Sequence, residues 1–87
     1  MDVRRRVGIN LRKFRTERGL SQEALAFECG LHRTYISGVE RGIRNPTILV
    51  LEKLADELQV STSRLLEDID VRGPRRQRGR PKRSPKS

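Results

Sequence analysis

The sequence predicts an all-α protein in which a compact five-helix domain, residues 1–71, is followed by a basic C-terminal tail, residues 72–87. Apolar residues recur every three or four positions as far as residue 71, which is the spacing of helices that bury one face. No stretch alternates apolar and polar residues in the manner of a strand. The tail has no aliphatic or aromatic side chain with which to build a core, so we expect it to be disordered without a partner.

The first helix is predicted over residues 3–17. Its apolar face consists of four residues at offsets of three or four: Val3, Val7, Leu11 and Phe14. Gly19 follows as a stop, because glycine readily adopts the left-handed conformation that ends many helices. The other faces are rich in arginine and lysine, which favours a contribution to phosphate binding over mere solubility.

The next two helices predict a helix-turn-helix over about residues 21–42. Ser21 is a good N-cap for a second helix, residues 21–29, and Gly30 ends that helix. A third helix over residues 32–42 follows after a very tight turn and stops at Gly42. Two short helices joined in this way are typical of units that bind DNA.

Two further helices are predicted after Pro46, which interrupts the chain. Thr47 can cap a fourth helix over residues 47–58, whose apolar residues form one stripe: Leu51, Leu54, Ala55 and Leu58. Ser61 can cap a short fifth helix.

The third helix has two different sides. Ile36 and Val39 mark an apolar face. The opposite side is small in the middle and basic at both ends, and it comprises Arg33, Thr34, Ser37, Gly38 and Arg41. A glycine inside a helix costs about 1 kcal/mol relative to alanine, so its presence calls for an explanation.

The charge is unevenly distributed along a chain whose formal net charge is +9. Residues 1–44 carry a net charge of +5, residues 45–71 carry −4, and residues 72–87 carry +8 with no acidic residue. This pattern predicts a polyanionic partner at the N-terminal half and the tail.

Several classes of protein are excluded by what the sequence lacks. The single cysteine, Cys29, rules out an internal disulfide and a cysteine-cluster metal site, and it is expected to lie in the core. No paired carboxylates, catalytic triad or set of metal ligands is evident, so we expect neither an enzyme nor a cofactor. Without a signal peptide or an apolar run of about 18 residues, a cytoplasmic, nucleoid-associated protein is expected and no membrane partner.

The segment "GLSQEALAFECGLHRTYISGVERGIRNPTILVLEKLADEL" resembles the lambda-repressor and Cro type of helix-turn-helix domain, also called the XRE family. The elements "GLSQEALA", Gly30, "YIS", "ERG" and "RNPT" occur in order and at the family's spacing. The resemblance covers about residues 7–67 and implies a five-helix domain that binds double-stranded DNA, commonly as a homodimer.

The resemblance also implies roles for matching residues. Arg33 and Thr34 occupy positions that meet base edges, and Gly38 falls where a third reading side chain often lies. Four residues match positions that contact or approach the DNA backbone: Gln22, Arg41, Arg44 and Asn45. Arg15 and Glu40 match a pair that forms a largely buried salt bridge in some relatives.

The chemistry of these residues supports base reading by the third helix. Small side chains at Thr34, Ser37 and Gly38 permit close approach to the major groove, and Arg33 can donate two hydrogen bonds to guanine. His32 stands where relatives often have a capping serine or threonine, so the third helix is expected to be weakly capped. His32 and Tyr35 are further candidates for phosphate contacts, with no DNA role for the first and simple packing for the second as alternatives.

The tail segment "RGRPKR" resembles the core of an AT-hook, a short motif that lies in narrow A·T-rich minor grooves. The residues concerned are Arg78, Gly79, Arg80 and Pro81. Unspecific attraction to phosphate remains an equal alternative, and contact with the acidic segment near residue 68 is a third.

The sequence therefore predicts a homodimeric, sequence-specific transcriptional regulator, with repression as its expected sign and a restriction–modification controller or an antitoxin as variants. Dimer contacts are expected from the fourth and fifth helices and from four residues at the end of the domain: Leu65, Leu66, Ile69 and Val71. No small-molecule ligand is expected, because there is no ligand domain. The alternatives are an architectural protein that binds A·T-rich DNA through its tail, and a protein-interaction adaptor with an acidic docking surface.

Overall fold

The computed structural model describes residues 1–69, and these contain four α-helices, one 3₁₀ helix and no strand. The helices are α1 (Val3–Glu17), α2 (Gln22–Cys29), α3 (Arg33–Glu40), α4 (Ile48–Leu58) and the 3₁₀ helix (Thr62–Leu66). The predicted all-α class is confirmed. The predictions for the tail, including the AT-hook-like residues and Val71, lie outside the described residues.

Capping residues set the helix boundaries much as the sequence predicts. The Ser21 hydroxyl accepts a hydrogen bond from the backbone N–H of Ala24 at 3.0 Å, and Gly30 ends α2 in the left-handed conformation with φ 68°. Thr47 caps α4 by accepting from the N–H of Val50 at 3.1 Å. At His32, by contrast, no side-chain hydrogen bond caps α3, as its sequence position predicted.

The predicted fifth helix is a single 3₁₀ segment, so the count of five α-helices is wrong by one. The buried amide of Asn10 donates hydrogen bonds to the carbonyls of Leu65 and Glu67, each at 3.0 Å. These bonds take carbonyls that a continuing α-helix would use for its own ladder. The Ser61 hydroxyl bonds to the hydroxyl of Ser63 instead of capping the backbone.

The core is built from aliphatic side chains of all five helical segments, with Phe14 as its buried aromatic residue. Leu11, Leu25, Ile36, Leu54 and Leu65 are among its fully buried members. The prediction that Leu65 contributes to a dimer interface is therefore wrong, because this side chain has no exposed surface to offer a partner. The 3₁₀ helix after Ser61 turns Leu65 inward and leaves Leu66 partly exposed.

Two further observations concern the thiol of Cys29 and the length and apolar character of the helices. Cys29 is buried, and burial, with a smaller contribution from Glu57, raises the pKa of its thiol, which keeps the thiol protonated. None of the helices in residues 1–69 is long and apolar enough to cross a membrane.

Candidate nucleic-acid interface

The helix-turn-helix is formed by α2, α3 and the short turn between them. The left-handed Gly30 reverses the chain, and the N–H of Leu31 donates to the carbonyl of Ala26 at 2.8 Å. The inner side of α3 is then fixed by Ile36 and Val39, both fully buried. This packing leaves the opposite side of α3 directed away from the core.

A buried polar network locks the C-terminal end of α3 to the rest of the domain. Arg15 donates from Nε and Nη2 to the two carboxylate oxygens of Glu40, at 2.6 and 3.0 Å, and from Nη1 to the carbonyl of Leu20 at 2.8 Å. The Gln22 side-chain amide donates to the same carboxylate at 3.0 Å. The Glu40 side chain is only 4% exposed, so these bonds hold it in a place where a lone carboxylate would be costly. The buried Arg15–Glu40 pair is confirmed.

The N-terminal end of α3 carries polar side chains that are available for binding. Arg33 and Thr34 are exposed, and neither side chain makes a hydrogen bond or an ion pair with another residue of 1–69. Ser37, one turn later, is partly exposed. The structure thus brings three of the four predicted base-reading residues to the outer face, and Arg33 and Thr34 are the most exposed of them.

Gly38 lies on the same stripe but is buried, because the side chain of Arg44 lies across it. A Cβ atom added to Gly38 would come within 2.5 Å of the Cγ atom of Arg44. The backbone N–H groups of Ile43 and Arg44 both donate to the carbonyl of Gly38, at 3.0 and 3.2 Å. The expected thin, open position on α3 is therefore wrong at Gly38, since Arg44 fills it.

The predicted backbone-contacting residues are spread over a wider surface. His32 is exposed, Tyr35 is half-buried, and the guanidinium of Arg44 lies 5.8 Å from the centre of the Tyr35 ring. Arg41 donates from its Nε to the carbonyl of Ser37 at 3.4 Å. These residues surround the exposed stripe of α3.

Asn45 is exposed and directly follows Arg44, another predicted backbone contact, in the chain. It lines a groove whose other residues are mostly apolar: Val3, Arg4, Val7, Pro46, Leu51 and Leu66. Its contact with the DNA backbone stays a prediction.

A cleft of about 710 Å³ lies beside the contact between α1 and the C-terminal end of α3. Its cationic lining consists of Arg5, Arg12, Lys13 and Arg41. The sequence showed that α1 is basic but not that its cations lie beside Arg41. The signal was Gly8, which lets α1 approach the carbonyls of Val39 and Glu40 so closely that a side chain there would collide with them.

The surface also exposes an unexpected number of large apolar side chains on α4. Ile48 and Leu49 are 78% and 74% exposed, and Leu66 and Val3 are partly exposed. The fourth helix was expected to supply dimer contacts, but Ile48 and Leu49 were not singled out on it. The signal was the run "ILVL", which is longer than one face of a helix can bury.

Comparisons with known proteins agree with this architecture. The helix-turn-helix family model HTH_3 matches residues 11–65. Control protein C.BamHI of Bacillus amyloliquefaciens is 45% identical over 67 residues, which cover 76% of this chain and 83% of that protein. The crystal structure of the restriction-modification controller protein C.AhdI from Aeromonas hydrophila matches with a TM-score of 0.69 at 47% identity, over 71% of this chain and 94% of that one.

A third similar protein has been solved on DNA. The crystal structure of SinR, the master regulator for biofilm formation, in complex with DNA matches with a TM-score of 0.67 at 37% identity, over 70% of this chain and 98% of that one. The family match and these similar proteins identify a helix-turn-helix transcriptional regulator that binds DNA. The chain belongs to the HTH_3 helix-turn-helix family, as the resemblance implied.

Proposed function

We propose that the protein binds a palindromic operator as a homodimer and represses transcription, with the N-terminal half of each α3 in the major groove. The observation that carries this proposal is that Arg33 and Thr34 are exposed and make no side-chain hydrogen bond within residues 1–69, on a helix that Glu40 holds in place. An arginine at the start of a recognition helix can donate two hydrogen bonds to O6 and N7 of guanine. Thr34 and Ser37 complete the reading surface.

Contacts to phosphate would orient α3 in the groove. His32, Tyr35 and Arg41 lie on α3 or at its two ends, and each can donate a hydrogen bond to a phosphate oxygen. One amide N–H of Gln22 is bonded to Glu40, which leaves its second N–H for a phosphate oxygen. The cations of the basic cleft would add long-range attraction.

A second copy of the chain is the partner that we propose for three exposed apolar side chains, Ile48, Leu49 and Leu66. These side chains would be buried between two copies, with partly buried Ile69 at the edge. Each copy would read one half-site, and the half-site centres would lie about 34 Å, or one helical turn, apart. The similarity to controller proteins favours a restriction–modification controller as the type of regulator.

Selection of tight-binding duplexes from a random pool at near-physiological salt tests the proposed function. A recovered palindrome with half-sites one turn apart would support it. Recovery of A·T-rich tracts alone would indicate an architectural protein that acts through its tail, whose charge of +8 suits that role. No binding would indicate an adaptor.

Substitution of a reading residue tests the proposed surface. Arg33→Ala should weaken binding to the recovered operator by about 10-fold or more, since a bidentate contact contributes about 1–3 kcal/mol, and it should relax selection at one position of each half-site. Arg64→Ala is the matched control, because Arg64 is an exposed arginine on the 3₁₀ helix, paired with Glu67. Equal weakening by both variants would mean that Arg33 contributes only its positive charge to DNA binding and does not read a base.

The oligomeric state tests the dimer surface. Leu49→Asp should shift the protein from dimer to monomer in sedimentation equilibrium. Phe27→Asp is the control, because Phe27 is a similarly exposed apolar residue, at 81%, on α2. A dimer that survives Leu49→Asp would place the interface elsewhere.

A further inference from the structure

The side chain of Arg44 occupies the position on α3 that residue 38 would occupy in a helix without glycine. Its aliphatic part crosses Gly38, where an added Cβ would lie 2.5 Å from Cγ and 3.4 Å from Nε. The loop is fixed there by the two hydrogen bonds from Ile43 and Arg44 to the Gly38 carbonyl. The missing side chain at Gly38 therefore leaves a depression in the helix surface, which the Arg44 side chain fills.

The far end of the Arg44 side chain is also held. Its guanidinium carbon lies 5.8 Å from the centre of the Tyr35 ring, within the range of a cation–π contact. Tyr35 precedes Gly38 by one turn, so the charge is brought back toward the half of α3 that carries Arg33 and Thr34. Arg44 nevertheless remains exposed, and its guanidinium makes no hydrogen bond or ion pair with another residue of 1–69, so it can donate to acceptors in a ligand.

We infer that Gly38 and Tyr35 position Arg44 as a specificity-determining residue that reads a base pair in place of the absent side chain at 38. This inference rests on the proposed function. A guanidinium aimed in advance loses less freedom when it binds guanine than an arginine in open solvent does. It also gives glycine a different reason for its place in α3: space for Arg44 rather than closer approach of the helix backbone to DNA.

A double-mutant cycle on the selected operator tests the coupling between the two residues. Gly38→Ala should weaken binding by about 10-fold in the protein with Arg44, because the methyl group displaces the arginine. In the Arg44→Ala background the same change at residue 38 should have an effect of less than about twofold. Equal losses in the two backgrounds would mean that the glycine is needed for approach to DNA, and no loss in either would mean that it has no role; both results would overturn the inference.

A second measurement separates base reading from phosphate contact. Repeated selection with Arg44→Ala should relax the sequence requirement at one base pair of each half-site while leaving the requirement of Arg33 intact. Uniform weakening over all sequences, with a salt dependence reduced by about one charge, would make Arg44 a phosphate contact and overturn the assignment. Absence of any specific duplex for the unaltered protein would instead be a failure of the proposed function. Circular dichroism of each variant checks that the fold is retained.

Discussion

The inner and outer faces of α3 use polar side chains in opposite ways. At the inner side, the carboxylate of Glu40 is almost fully enclosed and receives hydrogen bonds from Arg15 and Gln22. At the outer side, Arg33 and Thr34 are exposed and make no hydrogen bond with another residue of 1–69. One set of side chains therefore determines where the helix lies, and the other remains available to a ligand.

The difference has an energetic consequence that mutations can expose. Removing one member of a buried charge pair leaves the other charge desolvated and unpaired, which costs far more than the loss of an exposed contact. An exposed arginine keeps its hydration, so its removal changes the free energy of unfolding little. Substitutions on the inner side should change stability first, whereas substitutions of Arg33 and Thr34 should change DNA binding with little change in stability.

The largest expected effect is that of Glu40→Gln. Replacement of the carboxylate should lower the free energy of unfolding by about 3 kcal/mol, because Arg15, whose side chain is 11% exposed, loses its counter-charge. Urea denaturation followed by circular dichroism measures this. The control is Glu67→Gln in the exposed pair with Arg64, where a change below about 0.5 kcal/mol is expected. Similar small losses in both variants would show that the buried pair contributes little.

Gly8→Ala should be destabilising by about 2 kcal/mol, although alanine is the better helix former by about 1 kcal/mol. The reason is that a Cβ atom at Gly8 would collide with the backbone carbonyls of Val39 and Glu40. Thr16→Ala, on an exposed position of α1, should change stability by less than about 0.5 kcal/mol. A stabilised Gly8→Ala protein would mean that α1 and α3 can separate slightly at no cost, and that the inner face is less rigid than the structure indicates.

Gln22 belongs to both sides of the comparison, and Gln22→Met separates its two roles. Methionine keeps the length of the side chain and its helix propensity but loses the hydrogen bond to Glu40, so stability should fall by about 1.5 kcal/mol. If the second amide N–H contacts phosphate, affinity should also fall equally for all operator sequences, with a shallower salt dependence. Unchanged affinity in a destabilised protein would make Gln22 a bracing residue only.

The sequence was sufficient to predict α1 to α4 because their boundaries depend on local signals. Ser21 and Thr47 cap through their own hydroxyls, and Gly30 reverses the chain by its own conformation. The 3₁₀ segment was not predictable in this way. Its form depends on Asn10, which is 55 residues distant from Leu65 in the chain and adjacent to it in the fold.

The exposed residues of α3 were also predictable from a local signal. The position of the Arg44 side chain over Gly38 was not. Helical spacing alone places Arg33, Thr34 and Ser37 on one face. The return of Arg44 over Gly38 depends on the path of an irregular loop, which has no periodic signal. Likewise, the apolar pattern includes both Leu65 and Leu66, but it does not predict which of the two is buried in the core.

The smallest expected effect concerns the N-cap of α3, which lacks the side-chain hydrogen bond that caps α2 and α4. His32 adopts the extended N-cap conformation but its side chain makes no capping bond, whereas the hydroxyl of Thr47 caps α4. His32→Ser should therefore stabilise the protein by about 1 kcal/mol, and Thr47→Ala should destabilise it by a similar amount. Urea denaturation of the two variants gives both values.

DNA binding by His32→Ser then decides why the histidine is there. A more stable protein with several-fold weaker affinity for every operator sequence would mean that His32 donates to phosphate, and that cap strength is given up for binding. A more stable protein with unchanged affinity would leave His32 without a role in recognition. A protein that is not stabilised would show that the backbone at His32 cannot accept a serine cap. Arg33, and not the N-cap residue, would then be the first residue of α3 whose side chain is kept for binding.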